Sequence, residues 1–146
     1  MPRLSTWLIR MALVLLLLGA AIGAWRLALG GLADITRPHL AALHRLLLLD
    51  GWLIPFVIGT AHWMLPKHAG NRPRGDERLG FVGLILFLTG LIGGIATILN
   101  PRTGWPGLLP AGARILGCLC WLIMLWPRVK PFGLGRETLP SSAPLP

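Results

Sequence analysis

The sequence predicts an all-α integral membrane protein, a bundle of four transmembrane helices, and three observations carry this prediction. Hydrophobic residues make up 54% of the chain and charged residues only 13%, a balance far from that of soluble domains. The apolar residues form four runs, each of the roughly 20 residues that a helix needs to cross a bilayer. The basic residues gather in the short segments beside these runs. A soluble enzyme, a disordered chain and a nucleic-acid binder are therefore excluded.

The limits of the four spans follow from the apolar runs and the prolines between them. We expect the spans at about residues 8–31, 39–65, 79–99 and 106–127. A proline interrupts a helix at little cost where the helix ends, and four prolines lie at or next to these limits: Pro38, Pro66, Pro101 and Pro127. The spans form one domain, 1–137, and we expect the Pro- and Ser-rich tail, 138–146, to be disordered.

The distribution of Lys and Arg predicts the orientation. Nine of the 14 basic residues lie in the N-terminal part, in the central loop 66–78, or after the fourth span: Arg3, Arg10, Lys67, Arg72, Arg74, Arg78, Arg128, Lys130 and Arg136. By the positive-inside rule, both termini and the central loop are cytoplasmic, most simply in a bacterial inner membrane. The net charge of +9 then reports topology and attraction to anionic lipid, and nucleic acid is not an expected partner.

The first span also fits an alternative, a cleaved signal peptide. Arg3 and Arg10 precede or enter an apolar core, and a run of small residues, Gly19–Ala24, offers a cleavage site. Cleavage would leave three spans with the same orientation.

Most of the unusual polar groups lie on the second span. Ionisable residues within a membrane are costly and are therefore candidates for function. His44 and His62 are 18 residues apart, on one face of a helix but about 27 Å from each other. His39 lies about 140° around the helix from His44. These histidines cannot share one ligand on a regular helix, and no zinc-binding motif is present.

Two further patterns favour packing over chemistry. Gly19–Gly23 and Gly90–Gly94 both have the GxxxG spacing that lets helices approach closely in lipid. Cys118 and Cys120 lie inside an apolar run and face different ways, so we interpret them as small apolar residues that form no disulfide.

Asp50 lies near the middle of the second span. Because an intramembrane acid requires a partner, we predict an ion pair with Arg26 or Arg114 that fixes the helix register. The same carboxylate supports a rival interpretation, a small dimeric proton-coupled exporter of cations. Against this interpretation, the chain has no tyrosine, the aromatic residue expected to stack on such a substrate.

From His44 the segment reads HRLLLLDGWLIPFVIGTAHWMLP. This segment resembles the second transmembrane helix of subunit I in the haem-copper oxidase superfamily, especially its nitric-oxide-reductase-like branch. The end of the fourth span, LIMLWPRVK, is similar to that of small four-helix relatives of this first part of subunit I. The resemblance covers about residues 5–130 in hydropathy, and it is specific over 39–66.

The resemblance implies a b-type haem with His44 as the ligand of its iron. Arg37, Arg45 and Arg114 are then candidates to hold the propionates. The later helices that supply the other ligands in the full subunit have no counterpart here, so we do not expect catalysis by this chain alone. The sixth ligand would come from a second copy, another subunit, or His39 through a distorted helix start.

The resulting functional hypothesis is a non-catalytic membrane subunit or redox accessory that binds haem through His44. The alternative is a structural or assembly subunit, free of cofactors, of a respiratory or photosynthetic membrane complex. The expected partners are the lipid bilayer and either further copies of the chain or the other subunits of a larger complex.

Overall fold

The computed structural model describes residues 2–30, 37–65, 77–100 and 107–129, and these segments are helical with no strand among them. Four helices are long and apolar enough to cross a membrane. In chain order the elements are α1 (Arg3–Gly30), α2 (Pro38–Arg45), a π-helical segment (Leu46–Leu53), α3 (Ile54–Met64), α4 (Glu77–Leu99), α5 (Leu108–Leu125) and a 3₁₀ turn (Trp126–Arg128). The predicted tail, 138–146, lies outside the described residues.

The second span is one continuous helix, Pro38–Met64, built from α2, the π-helical segment and α3. The change in helix type lies just before Pro55, which has no N–H and whose ring would clash with a carbonyl four residues earlier in a regular α-helix. The N–H of Ile54 accordingly donates to the carbonyl of Leu49, five residues back. The wider turn thus accommodates the proline and carries Asp50.

The first helix begins earlier than the sequence predicted, at Arg3 in place of about residue 8. Nothing in this segment breaks a helix, and Leu4 and Leu8, one turn apart, are both fully buried. Their burial against the other helices stabilises the additional turn.

The helices form two antiparallel pairs: α1 packs along the second span, and α4 packs along α5. The apolar core lies near the N-terminal end of α1, where α1, α4 and α5 meet. Its buried members are Leu4, Leu8, Leu84, Phe87, Trp121, Met124 and Leu125. Within this core, Trp121 Nε1 donates to the carbonyl oxygen of Gly80 at 3.1 Å, and the ring centroid of Trp121 lies 5.0 Å from that of Phe87.

The α4–α5 pair is held together closely by glycines. A Cβ on Gly117 would lie 2.7 Å from the Gly83 carbonyl oxygen and 2.9 Å from the backbone nitrogen of Phe87. Backbone atoms cannot move aside as a flexible side chain can. A larger residue at Gly117 would therefore push the two helices apart.

Candidate functional site

Asp50 and Arg114 form an ion pair between the second span and α5. Asp50 lies in the π-helical segment, and its Oδ2 is 3.0 Å from Arg114 Nη1. The two side chains are 31% and 20% exposed, respectively. The Arg114 Nη1–H is not aligned with the carboxylate as a hydrogen-bond donor, so the contact is electrostatic. A cationic substrate would have to displace this guanidinium from Asp50.

The Gly90–Gly94 motif of α4 provides the path for the arginine. A Cβ on Gly90 would lie 2.6 Å from Arg114 Cγ, and a Cβ on Gly94 would lie 3.0 Å from Arg114 Nη1. The absence of these two Cβ atoms leaves a shallow notch along α4. Arg114 runs through the notch and reaches across to Asp50.

Of the two partners predicted for Asp50, the structure places Arg114 beside it. The contacts between α1 and the second span show how the two helices align along their common axis: Gly23 lies beside His44, and Gly51 lies beside Leu15. Asp50 is therefore level with about residue 17 of α1. Arg26 lies about nine residues further along, roughly 13 Å away along the axis.

His44 is wedged between its own helix and α1. Its Nδ1 lies 2.7 Å from the carbonyl oxygen of Gly19, and its Cε1 would be 2.6 Å from a Cβ on Gly23. Because a carbonyl only accepts, Nδ1 carries the proton in this contact, and Nε2 is the nitrogen left for another bond. The Gly19–Gly23 motif thus makes room for an imidazole, as the α4 motif does for an arginine.

Of the remaining residues predicted to hold haem, Arg114 is paired with Asp50. α2 is a regular α-helix over Pro38–Arg45, which keeps His39 and His44 on different faces and gives no distorted helix start. Arg45 is exposed, and Arg37 lies before the first turn of α2. His44 Nε2 is therefore the nitrogen that would bind iron, and His39, on another face of the helix, is not placed to supply a second ligand within one chain. Among the described residues, no three His, Cys, Asp or Glu side chains form a metal-binding group.

A groove runs beside the ion pair between the second span and α5. Its volume is about 610 Å³, and Phe87 of α4 contributes to its lining. Asp50 and Arg114 lie along its wall, and the rest of the lining is apolar apart from Cys118. This volume lies in the range of small-molecule binding sites, and the ion pair supplies polar groups that would orient a bound molecule.

A second polar contact, which the sequence reasoning missed, closes the opposite end of the second span. Arg128 is 1% exposed and donates through Nη2 to the carbonyl oxygens of His62 and Leu65, at 3.0 and 2.7 Å. Its Nη1 lies 3.0 Å from Nδ1 of the fully buried His62. Because arginine only donates, His62 Nδ1 accepts, which requires a neutral imidazole protonated at Nε2.

In the sequence, Arg128 stands out only as one of the basic residues that predict orientation. The available signal was the C-terminal end of α3, whose last carbonyls require donors. Arg128 satisfies two such carbonyls from another helix.

Comparison of the chain with protein-family models, with curated proteins and with solved structures gave no match. The resemblance of residues 39–66 to an oxidase subunit therefore stays an expectation, and the function must be inferred from the geometry above.

Proposed function

We propose that the protein is a non-catalytic subunit of a larger membrane complex. In this proposal, the four helices cross a bacterial inner membrane, and both termini and the central loop are cytoplasmic. The excess of Lys and Arg on that side supports the orientation. The length and hydropathy of the four helices support the insertion.

The observation that carries the proposal is the use of the polar side chains that lie between helices. His44 bonds to α1, Arg114 pairs with Asp50 of the second span, and Arg128 binds the end of α3. Each contact joins two helices of the same chain. The polar groups that would perform chemistry are thus engaged in fixing the scaffold, as in a structural subunit.

The outward surface of the scaffold is apolar and suits lipid or neighbouring helices. Leu17 is 71% exposed, Ile85 61% and Ile123 62%, and these residues lie on three different helices. In water such a surface would aggregate, whereas in a bilayer it contacts acyl chains or the helices of another subunit.

The test is to purify the tagged chain from its native membrane in mild detergent and to analyse it by native electrophoresis and mass spectrometry. We expect a discrete species containing a second membrane protein in fixed proportion, retained by a His44→Ala variant. Deleting the chain should lower the abundance of that protein in the membrane. Recovery of the chain alone or only with its own copies, with no membrane protein depleted by the deletion, would overturn the proposal.

Haem binding through His44 is a second candidate, favoured by the orientation of the imidazole. Histidines that ligate metals commonly donate their other ring N–H to a backbone carbonyl, which fixes the tautomer and the ring. The His44 bond to Gly19 is of this kind. A bound haem would supply one-electron transfer, with the second axial ligand supplied from outside this chain.

A reduced-minus-oxidised absorbance spectrum tests the second candidate, with haem supplied during expression. A b-type α-band that is lost in His44→Ala and retained in His39→Ala would support it. A flat spectrum of the wild-type protein, or a band that persists at full intensity in His44→Ala, would refute it and leave the first proposal standing.

A further inference from the structure

A second groove lies on the other side of the bundle, between α1 and α4. It has a volume of about 420 Å³ and is apolar over almost its whole lining. Trp7 and Arg10 of α1 line one end of the groove. Further along, Val14 of α1 and Leu88 and Ile92 of α4 line the groove.

The dimensions of this groove are those of one hydrocarbon chain. Its lining on α4 extends from Leu84 to Ile95, which is roughly 16 Å along the axis and close to the depth of one membrane leaflet. The volume then corresponds to a mean cross-section of roughly 26 Å², about a third of that of a helix 10 Å across. A slender chain that lies along the groove fits this width better than a helix does.

The charged end of the groove lies near one end of the predicted membrane span. The helix Arg3–Leu29 exceeds the hydrocarbon thickness by roughly 5 Å at each end, which puts the Arg10 backbone about 5 Å inside. An arginine at that depth extends its guanidinium to the headgroups. Arg10 is exposed and has no hydrogen bond or ion pair to any residue that the structure describes.

We propose that the groove between α1 and α4 binds one acyl chain of an anionic phospholipid whose phosphate pairs with Arg10. The Trp7 indole N–H is placed to donate to the ester region of the same lipid, as interfacial tryptophans do. The charge of Arg10 selects an anionic headgroup over a zwitterionic one. This proposal rests on the membrane placement proposed above and is independent of the partner subunit.

The experiment uses the full chain, purified and delipidated in a mild detergent, and measures binding of phosphatidylglycerol and phosphatidylcholine by native mass spectrometry. We expect the wild-type protein to prefer phosphatidylglycerol about fivefold, the contribution of one basic residue near the surface. Arg10→Gln should abolish this preference. Arg3→Gln should keep it, because Arg3 is equally exposed at the same end of α1 but does not line the groove.

A second variant tests the position of the acyl chain. Val14 is 59% exposed, so Val14→Trp fills the groove without altering the core, and it should weaken binding of both lipids. Equal affinity of the wild type for both lipids, equal losses in Arg3→Gln and Arg10→Gln, or unchanged binding in Val14→Trp would each overturn the proposal. Inorganic phosphate, added as a competitor, should not displace the lipid, and displacement would show an anion site without an acyl chain.

The membrane fraction of each variant is assayed in parallel. A variant that loses lipid preference but remains in the membrane bears on the lipid site alone. Failure of the wild-type chain to enter the membrane would refute the proposed membrane placement. The assay thus distinguishes failure of the lipid site from failure of the placement.

Discussion

Gly117 lies where the backbones of α4 and α5 approach closely, and its replacement by alanine tests the packing directly. The added methyl would lie 2.7 Å from the Gly83 carbonyl oxygen and 2.9 Å from both Cβ and the backbone nitrogen of Phe87. All three distances are below van der Waals contact, and two of the three neighbouring atoms belong to the backbone. The helices must therefore separate by several tenths of an ångström.

The chain offers a matched control in the same helix. An alanine at Gly112 would meet no atom within 4 Å. Both substitutions gain about 1 kcal/mol of helix propensity, so this contribution cancels when the two variants are compared. What remains is the overpacking at Gly117, typically about 1–3 kcal/mol. Gly112→Ala should match or exceed the wild-type stability, and Gly117→Ala should be less stable than Gly112→Ala by that difference.

The assay is reversible unfolding by SDS in mixed micelles, followed by tryptophan fluorescence. Trp121 contacts Gly83 across this interface and hydrogen-bonds to Gly80, so its emission reports separation of α4 from α5. Equal unfolding midpoints for Gly117→Ala and Gly112→Ala would show that the helices do not approach as closely as the structure has them, and the reasoning would fail.

Three other contacts are tested in the same assay. Asp50→Asn and Arg114→Gln should each lower the free energy of unfolding by about 3 kcal/mol, because each leaves a partly buried charge uncompensated. The double variant should lose less stability than the sum of the two single losses. Strict additivity of the two losses would argue against the ion pair. His44→Ala should lower the free energy of unfolding by about 1–2 kcal/mol, because the bond to Gly19 is lost. The control, Arg45→Ala at the exposed neighbouring position, should change it by less than about 0.5 kcal/mol. Equal effects of the two variants would contradict the His44 contact. Arg128→Met should cost about 2–3 kcal/mol by leaving buried carbonyls without donors, and Arg128→Lys should recover only part because one ammonium cannot match the guanidinium fork; full recovery by lysine would show that charge alone matters.

The sequence predicted the four helices because hydropathy over 20 residues is a strong, local signal. The limits were less well determined, since they depend on tertiary contacts: α1 extends back to Arg3 because Leu4 and Leu8 are buried against other helices. Pro55 must perturb the second span, but the sequence does not specify how a helix absorbs a proline, which here is by a π-helical segment. Insertion and orientation stay predictions.

The sequence predicts the contacts that follow from the energetic cost of a charge in the membrane. It does not predict those that depend on how neighbouring helices align along their axes. The expense of a charge in the membrane was enough to predict a basic partner for Asp50 and to name Arg114 as one of two candidates. Excluding Arg26 required knowing that α1 and the second span align Gly23 with His44. The contact of Arg128 with His62 joins residues that are 66 positions apart, and no periodicity in the sequence reports such a distance.

The two GxxxG motifs show how this small bundle places polar groups at modest cost. Each motif was interpreted as a seam between helix backbones, and each also receives a polar side chain from a neighbouring helix: His44 over Gly23, and Arg114 over Gly90 and Gly94. The notch on one helix receives a polar side chain from the neighbouring helix and brings its polar atoms near a carbonyl or a carboxylate. The side chain therefore loses its water and gains a partner in the same contact. The energetic consequence is that a larger residue in either notch would remove a polar contact as well as a packing contact. Polar residues that lie level with a GxxxG motif on an adjacent span are therefore the first candidates for intramembrane contacts in a bundle of this kind.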